Sequence, residues 1–419
     1  MHCTQRITNA FFVLALVSLI PSAAIAQSGS WTTKASMPTP RVTLAGAQVK
    51  DVVYAIGGYN SFGGFNLLSS NEAYDPATDT WSTKAAMPTA RYVLAAAAVN
   101  GIVYAIGGNN GGTILSTMEA YDSVANTWST KAAMPTVRSN LAAVVVNGIV
   151  YAIGGNTYSG SLNTVEAYDP TTDTWSTKAA MPTARSTLAA VEVNGIVYAI
   201  GGYDESYRIV APVEAYDPVT NTWSTKAAMP TPRYEVAAAA VNGIVYAIGG
   251  NVYPVFTDVS TMEAYDPVTD SWSTKAAMPT ARGALAAVEA NGIVYAIGGD
   301  NPIELPTNEA FTPAPSCKVA IGGPSANPSV LWPPNHKLVK VTVDYTATDP
   351  CAVTCSLSVA SSEGSASDWV VVDAHHVLLR AERAGNGSGR TYTVTVTCGD
   401  TNSSSSVPVT VSVPHDQGH

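Results

Sequence analysis

Six Gly-Gly pairs set the rhythm of most of this chain. They are Gly57-Gly58, Gly107-Gly108, Gly154-Gly155, Gly201-Gly202, Gly249-Gly250 and Gly298-Gly299. A tryptophan stands 26 residues before the first glycine of each pair, at Trp31, Trp81, Trp128, Trp175, Trp223 and Trp272. From one pair to the next the spacing runs between 47 and 50 residues. The segment from Trp to Gly is therefore constant, and all length variation lies between a Gly-Gly and the next Trp. Such a period implies one supersecondary unit repeated, each copy burying its apolar face on its neighbours.

One unit can be followed from Leu94. Leu94 to Val99 is a small, apolar run suited to a buried inner strand. Asn100-Gly101 is a type I′ hairpin signal, since both central positions need positive φ. Ile102 to Ile106 forms a second strand, Glu119 to Asp122 a third and Trp128 to Thr130 a fourth. Asp-Pro after the third strand, as at Asp169-Pro170, favours a type I turn. Lys131 to Arg138 then leads to the next inner strand. The fold class predicted is all-β: a β-propeller of six four-stranded blades. The sixth unit lacks a tryptophan after its third strand (Asn308 to Thr312), while the chain starts with an unpartnered strand around Trp31. That N-terminal strand is expected to complete the sixth blade and remove its edge.

The double glycine, the tyrosines Tyr74, Tyr121, Tyr168, Tyr216 and Tyr265, and the tryptophan seven residues after each tyrosine resemble the kelch repeat. The resemblance covers roughly residues 30–312 and implies a kelch-type propeller of secreted bacterial type. After the Pro-rich run at residues 312–316 the repeat stops. Alternating runs at Leu338 to Val343, Val370 to Val372, Tyr392 to Thr397 and Val407 to Val413 predict a β-sandwich. Leu331-Trp332-Pro333-Pro334-Asn335-His336-Lys337 resembles a motif of immunoglobulin-like modules appended to secreted bacterial proteins, which implies no activity.

Residues 1–26 read as a signal peptide: Arg6, an apolar stretch from Ala10 to Ile20, and Ala24-Ile25-Ala26 before Gln27. The expected domains are thus 1–26 signal peptide, 27–315 propeller, 316–414 immunoglobulin-like sandwich and 415–419 tail. Cleavage would remove Cys3 and leave Cys317, Cys351, Cys355 and Cys398, an even set that fits disulfides in an oxidising, extracellular or cell-surface location. Four cysteines allow three connectivities. Cys355 and Cys398 sit in candidate strands as an immunoglobulin-type inter-sheet pair would, so Cys355–Cys398 with Cys317–Cys351 is the expected pairing. A net charge of −10 with no basic patch argues against nucleic acid. No run in the mature chain is long and apolar enough to span a bilayer. A monomer is expected.

Strand direction alternates within a blade, so the 4–1 and 2–3 connections leave on one face of the ring. The 4–1 connections carry Arg41, Arg91, Arg138, Arg185, Arg233 and Arg282. One reading is a ring of guanidiniums binding carboxylates. The other is that each arginine pairs with a third-strand glutamate (Glu72, Glu119, Glu166, Glu214, Glu263, Glu309) and staples blades together. The 2–3 connections vary in length and composition. They contain Tyr59, Phe62 and Phe65; Asn109 and Asn110; Tyr158; Tyr203, Asp204, Glu205, Tyr207 and Arg208; Tyr253, Phe256 and Asp258; and Asp300 with Glu304. Aromatic faces beside carboxylates and amides suit carbohydrate or peptide recognition, against the reading of simple loop drift. On the inner strands, Glu192 and Glu289 are either a cation or acid–base pair or solvated residues at a channel mouth.

Residues 27–315 contain no His and no Cys, which removes a Ser-His-Asp triad, a Cys/His pair and a His-ligated metal from the propeller. Galactose oxidase shares the kelch-type propeller, but the histidines of its copper centre have no counterpart here. No metal or cofactor is expected. The leading expectation is non-catalytic binding of a glycan or protein partner on the 4–1/2–3 face. A carbohydrate-processing enzyme resembling bacterial kelch-type sialic-acid epimerases is the alternative, with Glu205 and Arg208 its nearest acid–base candidates, and a structural spacer is a third.

Overall fold

The computed structural model describes residues 29–254, 257–314, 320–348, 353–363, 366–382, 389–399 and 404–414. Residues 1–26, Phe256 and the Cys317–Cys351 pairing lie outside the described residues. The chain divides into two compact units, Met1–Ala314 and Pro315–His419.

The first unit is the six-bladed propeller. In the second blade the strands are Ala95–Val99, Ile102–Ile106, Met118–Asp122 and Thr127–Lys131, paired in sequence order. The Asn100-Gly101 turn has φ of 52° and 85°, as a type I′ hairpin requires. Burial follows position in the blade. Ala95, Ala97 and Val99 are buried while Ala96 and Ala98 are half-buried, so the inner strand turns one face to its neighbours and the other to the axis. The second strand is buried on both faces because it lies between two adjoining blades, which is why Ile-Val-Tyr-Ala-Ile shows no alternation. Six buried clusters form the core, and each is shared by two adjacent blades.

The repeated residues are the joints between blades. Each tryptophan Nε1–H donates to an alanine carbonyl of the preceding connection, as Trp175 does to Ala132 at 2.9 Å. The Gly-Gly pairs occupy a close backbone approach. Gly57 and Gly58 have φ of 63° and 91°, and a Cβ on them would come within 2.6 Å of the Arg91 carbonyl and 2.7 Å of the Val42 carbonyl.

Closure runs as the missing tryptophan implied. Ser30–Thr33 pairs antiparallel with Asn308–Thr312, and Trp31 faces Phe311. The seam is not identical to the other joints, however. In five blades the tyrosine hydroxyl and an alanine N–H both donate to one Asp or Asn two residues before the tryptophan, as Tyr168 and Ala132 do to Asp173. At the seam those positions are Phe311 and Gly29, so the hydroxyl and its acceptor are lost together.

The second unit is a β-sandwich. One sheet is ordered Ala320–Asn327, Leu338–Thr348, His376–Arg380 and Trp369–Val371; the other is Thr354–Ser361, Gly389–Gly399 and Ser404–Pro414. Val341, Val343, Val377 and Leu379 from the first meet Tyr392, Val394, Val396 and Val411 from the second. Cys355 and Cys398 are bonded, but not between sheets as expected. They are direct cross-strand partners within the three-stranded sheet, with Cα atoms 4.1 Å apart. Adjacent antiparallel strands bring some opposed Cα atoms to about this distance, whereas stacked sheets lie about 10 Å apart. The adjacent histidines engage different partners: His375 Nδ1 lies 3.1 Å from the Val343 carbonyl, and His376 Nδ1 lies 2.8 Å from Asp373.

Candidate functional site

Each residue following a 4–1 arginine forms a bridge with the residue following the Gly-Gly of the same blade, for example Ser186 with Tyr203 and Tyr234 with Asn251. The two sets of connections therefore build one continuous face. On it the sequence expectations separate.

The six arginines are not presented to solvent. All are 0% exposed, and each guanidinium faces the glutamate of the third strand it precedes. Arg138 Nη2 is 2.5 Å from Glu166 Oε2, Nη1 donates to the Gly154 and Thr164 carbonyls, and Thr136 Oγ1 donates to Glu166 Oε1 at 2.7 Å. Desolvation lowers the Arg138 pKa to about 10, partly offset by the carboxylate, so the group stays charged at neutral pH. The pair fastens the connection arriving from one blade to the third strand of the next. This corrects the reading of Arg41, Arg91, Arg138, Arg185, Arg233 and Arg282 as ligand-contacting groups, because guanidiniums that are fully enclosed beside buried glutamates cannot reach a ligand.

Two positions after each arginine the chain makes a feature the sequence reading missed. The N–H of Thr43 donates to the Ala284 carbonyl, Val93 to Thr43, Asn140 to Val93, Thr187 to Asn140, Glu235 to Thr187 and Ala284 to Glu235, at 2.9–3.2 Å. These six bonds close a ring about the axis. Every member has positive φ, between 48° and 54°. Non-glycine residues resist that conformation by roughly 1–2 kcal/mol each, and the closed ring of hydrogen bonds offsets it. The ring and the residues that follow it line a mouth of about 110 Å³. The available signal was that these positions vary within an otherwise uniform connection.

Glu235 is the one charged side chain of the ring. Its Oε2 accepts from Asn251 Nδ2 at 2.8 Å. Burial, with the Asp300 and Asp258 carboxylates adding repulsion, raises its pKa to about 7. Asp300 is raised to about 6 by burial and by Asp258 and Glu304, and burial also raises Asp258. Asp258 and Asp300 are thus close enough to Glu235 to repel its charge, while lying outside the lining of the mouth. Tyr59 and Tyr234 feel the same charges, which with burial raise their hydroxyl pKa values.

Between the third and fourth blades lies a groove of about 280 Å³, lined by Asn156, Tyr158, Ser161, Ser186, Tyr203, Glu205 and Tyr207 among others. The Tyr203 and Tyr207 rings are 5.6 Å apart and 30° from parallel, and Tyr203 also meets Tyr234 edge-on at 5.8 Å. Tyr207 is 79% exposed and held at φ 58°. The turn that holds it is shaped by Asp204, whose Oδ1 accepts the N–H groups of Ser206 and Arg208. Asp204 is thereby a turn former. Glu205 and Arg208 are exposed, and Tyr253 stands exposed on the fifth blade's loop, outside the groove. A second aromatic group, Tyr59, Phe65 and Tyr92, packs with centroids 4.8–5.6 Å apart between the first and second blades.

At the far end of the channel Glu192 and Glu289 accept the N–H of Gly195 and Gly292, so they brace the Asn-Gly turns.

Residues 53–305 match the family described as Attractin/LZTR1 beta-propeller, more than half of the chain. The chain belongs to that family. Among solved structures, that of YjhT is similar over 66% of this chain and 95% of that one, with a TM-score of 0.58 and 18% identity. That likeness is one of fold. No curated relative matches the chain in sequence.

Proposed function

We propose that this family member is a secreted or cell-surface binding protein that holds a glycan in the groove between the third and fourth blades. The observation that carries the reading is a pair of neighbouring tyrosine rings, Tyr207 exposed and Tyr203 half-buried, in a polar cleft. A sugar ring presents an apolar C–H face and a rim of hydroxyls. Tyr203 and Tyr207 supply surface for the first, and their hydroxyls, Ser161, Ser186 and Glu205 supply partners for the second. A groove carboxylate, with the six repeated arginines buried and Arg208 outside the lining, favours neutral or amino sugars over acidic ones. Variation among the 2–3 connections supports this face, since specificity needs groups that differ around a ring of like units.

The test is a glycan-array screen of the full chain, with and without calcium, followed by Tyr203→Ala with Tyr207→Ala. Binding should be lost in that variant and kept in Thr171→Ala with Thr220→Ala on the opposite face. Loss in the second variant but not the first would overturn the proposal.

A further inference from the structure

The ring around the axis is neutral at five positions and charged at one. Thr43, Val93, Asn140, Thr187 and Ala284 bear no charge, so Glu235 is the one ring residue whose side chain can bring a charge to the mouth. Two further facts constrain what could enter. The mouth, at about 110 Å³, is open to solvent and has room for a slender chain end. Glu235 has no cationic side chain in ion-pair contact among the described residues, and its charged neighbours Asp258 and Asp300 are carboxylates that make the site more negative. A partly desolvated carboxylate without a counter-charge is destabilised in its charged form, and an arriving cation relieves both burial and repulsion.

We propose that the axial mouth is a binding site for a primary ammonium group on a short alkyl stem, with Glu235 as its carboxylate partner. The methyl groups of Val93, Thr187 and Ala284 are available to the stem, and the head would sit against Glu235, with Asn251 fixing the carboxylate from the other side. The site is separate from the tyrosine groove and stands whether or not the groove takes a glycan. Two sources share this chemistry, a free alkylamine and the side chain of a lysine on a protein partner.

The experiment titrates the full-length protein calorimetrically with n-propylammonium, with n-propanol as the neutral isostere and with Nα-acetyl-lysine amide. The expected result is millimolar binding of propylammonium, none of propanol, and weakening by about tenfold or more in Glu235→Gln. Binding below neutral pH should release protons, because the ammonium favours the ionised form of a carboxyl that titrates at about 7. The other groups facing it, Asp258, Asp300, Tyr59 and Tyr234, carry no positive charge to compete. Tyr203→Ala with Tyr207→Ala should leave propylammonium binding unchanged, which separates failure of this site from failure of the groove. Tighter binding of the lysine derivative than of propylammonium assigns the site to a lysine side chain; the reverse assigns it to a free amine. If Glu235→Gln unfolds, Glu235→Thr, which copies the ring residue of the first and fourth blades, replaces it. Equal binding of propanol, unchanged affinity in the Glu235 variants, or no binding of propylammonium at millimolar concentration would overturn the proposal.

Discussion

Replacing Glu166 by glutamine tests whether the repeated Arg–Glu pairs are scaffold. The amide keeps the shape of the carboxylate and can keep its hydrogen-bond count. Its oxygen can accept from Arg138 Nη2, and its NH₂ can face Thr136 Oγ1. What disappears is the negative charge opposite a guanidinium that is 0% exposed. Breaking a buried pair by removing one partner costs about 3–5 kcal/mol, and retention of the hydrogen bonds places Glu166→Gln near the lower end, about 3 kcal/mol. Glu166→Ala, which also strands Thr136, belongs near the upper end. At about 2 °C per kcal/mol for a unit of this size, the glutamine variant should melt roughly 6 °C below wild type. Arg138→Met combined with Glu166→Leu removes both charges and their desolvation cost into similar volume, but strands Thr136 Oγ1 and the Gly154 carbonyl, so it should recover only part of the loss. Scanning calorimetry of the full chain reads all three. A Glu166→Gln variant within about 0.5 kcal/mol of wild type, or a double variant as unstable as either single one, would refute a buried, charge-balanced pair.

Three further outcomes are expected. Copying the other joints into the seam, Gly29→Asn with Phe311→Tyr, should destabilise the propeller by about 1–3 kcal/mol, because a Cβ on Gly29 would come within 2.3 Å of the residue-311 ring and 2.8 Å of the Thr312 carbonyl; a raised melting temperature would show that the seam can take the same joint. Glu235 has a folded pKa raised from 4.5 to about 7, so its neutral form favours the folded state and that contribution is lost as pH rises through about 7. Glu235→Gln should therefore melt like wild type at low pH and above it on the alkaline side, and parallel pH profiles would exclude the shift. Reduction of Cys355–Cys398, which closes a separation of 43 residues, should lower the transition of the sandwich by about 2–5 kcal/mol while the propeller transition stays put, as a two-transition calorimetric trace with and without dithiothreitol would show.

Much of the architecture was legible in the chain. The period, the Asn-Gly turns, the strand limits and closure through Trp31 all follow from local rules: a turn residue acts on its own backbone, and a repeat fixes its own neighbours. Pairing of Cys355 with Cys398 was also readable, though not its place within one sheet, because alternating apolar runs do not reveal which strands are adjacent. The site was less accessible. Arginine repeated on a surface connection reads as binder or as staple, and packing showed the guanidinium enclosed by Glu166, Thr164 and Gly154. Asp204 read as a binding carboxylate, yet two backbone N–H groups claim it. Glu235 was passed over because its neighbours in sequence, Tyr234 and Val236, say nothing of the axis. Its environment is assembled from the fourth, fifth and sixth units: Thr187, Asn251, Asp258 and Asp300 lie 16 to 65 residues from Glu235 in sequence, and meet only when the ring closes. Sequence determines the blade because its forces are local and repeated; the tertiary ring decides the site because the potential at the axis sums over carboxylates contributed by separate blades.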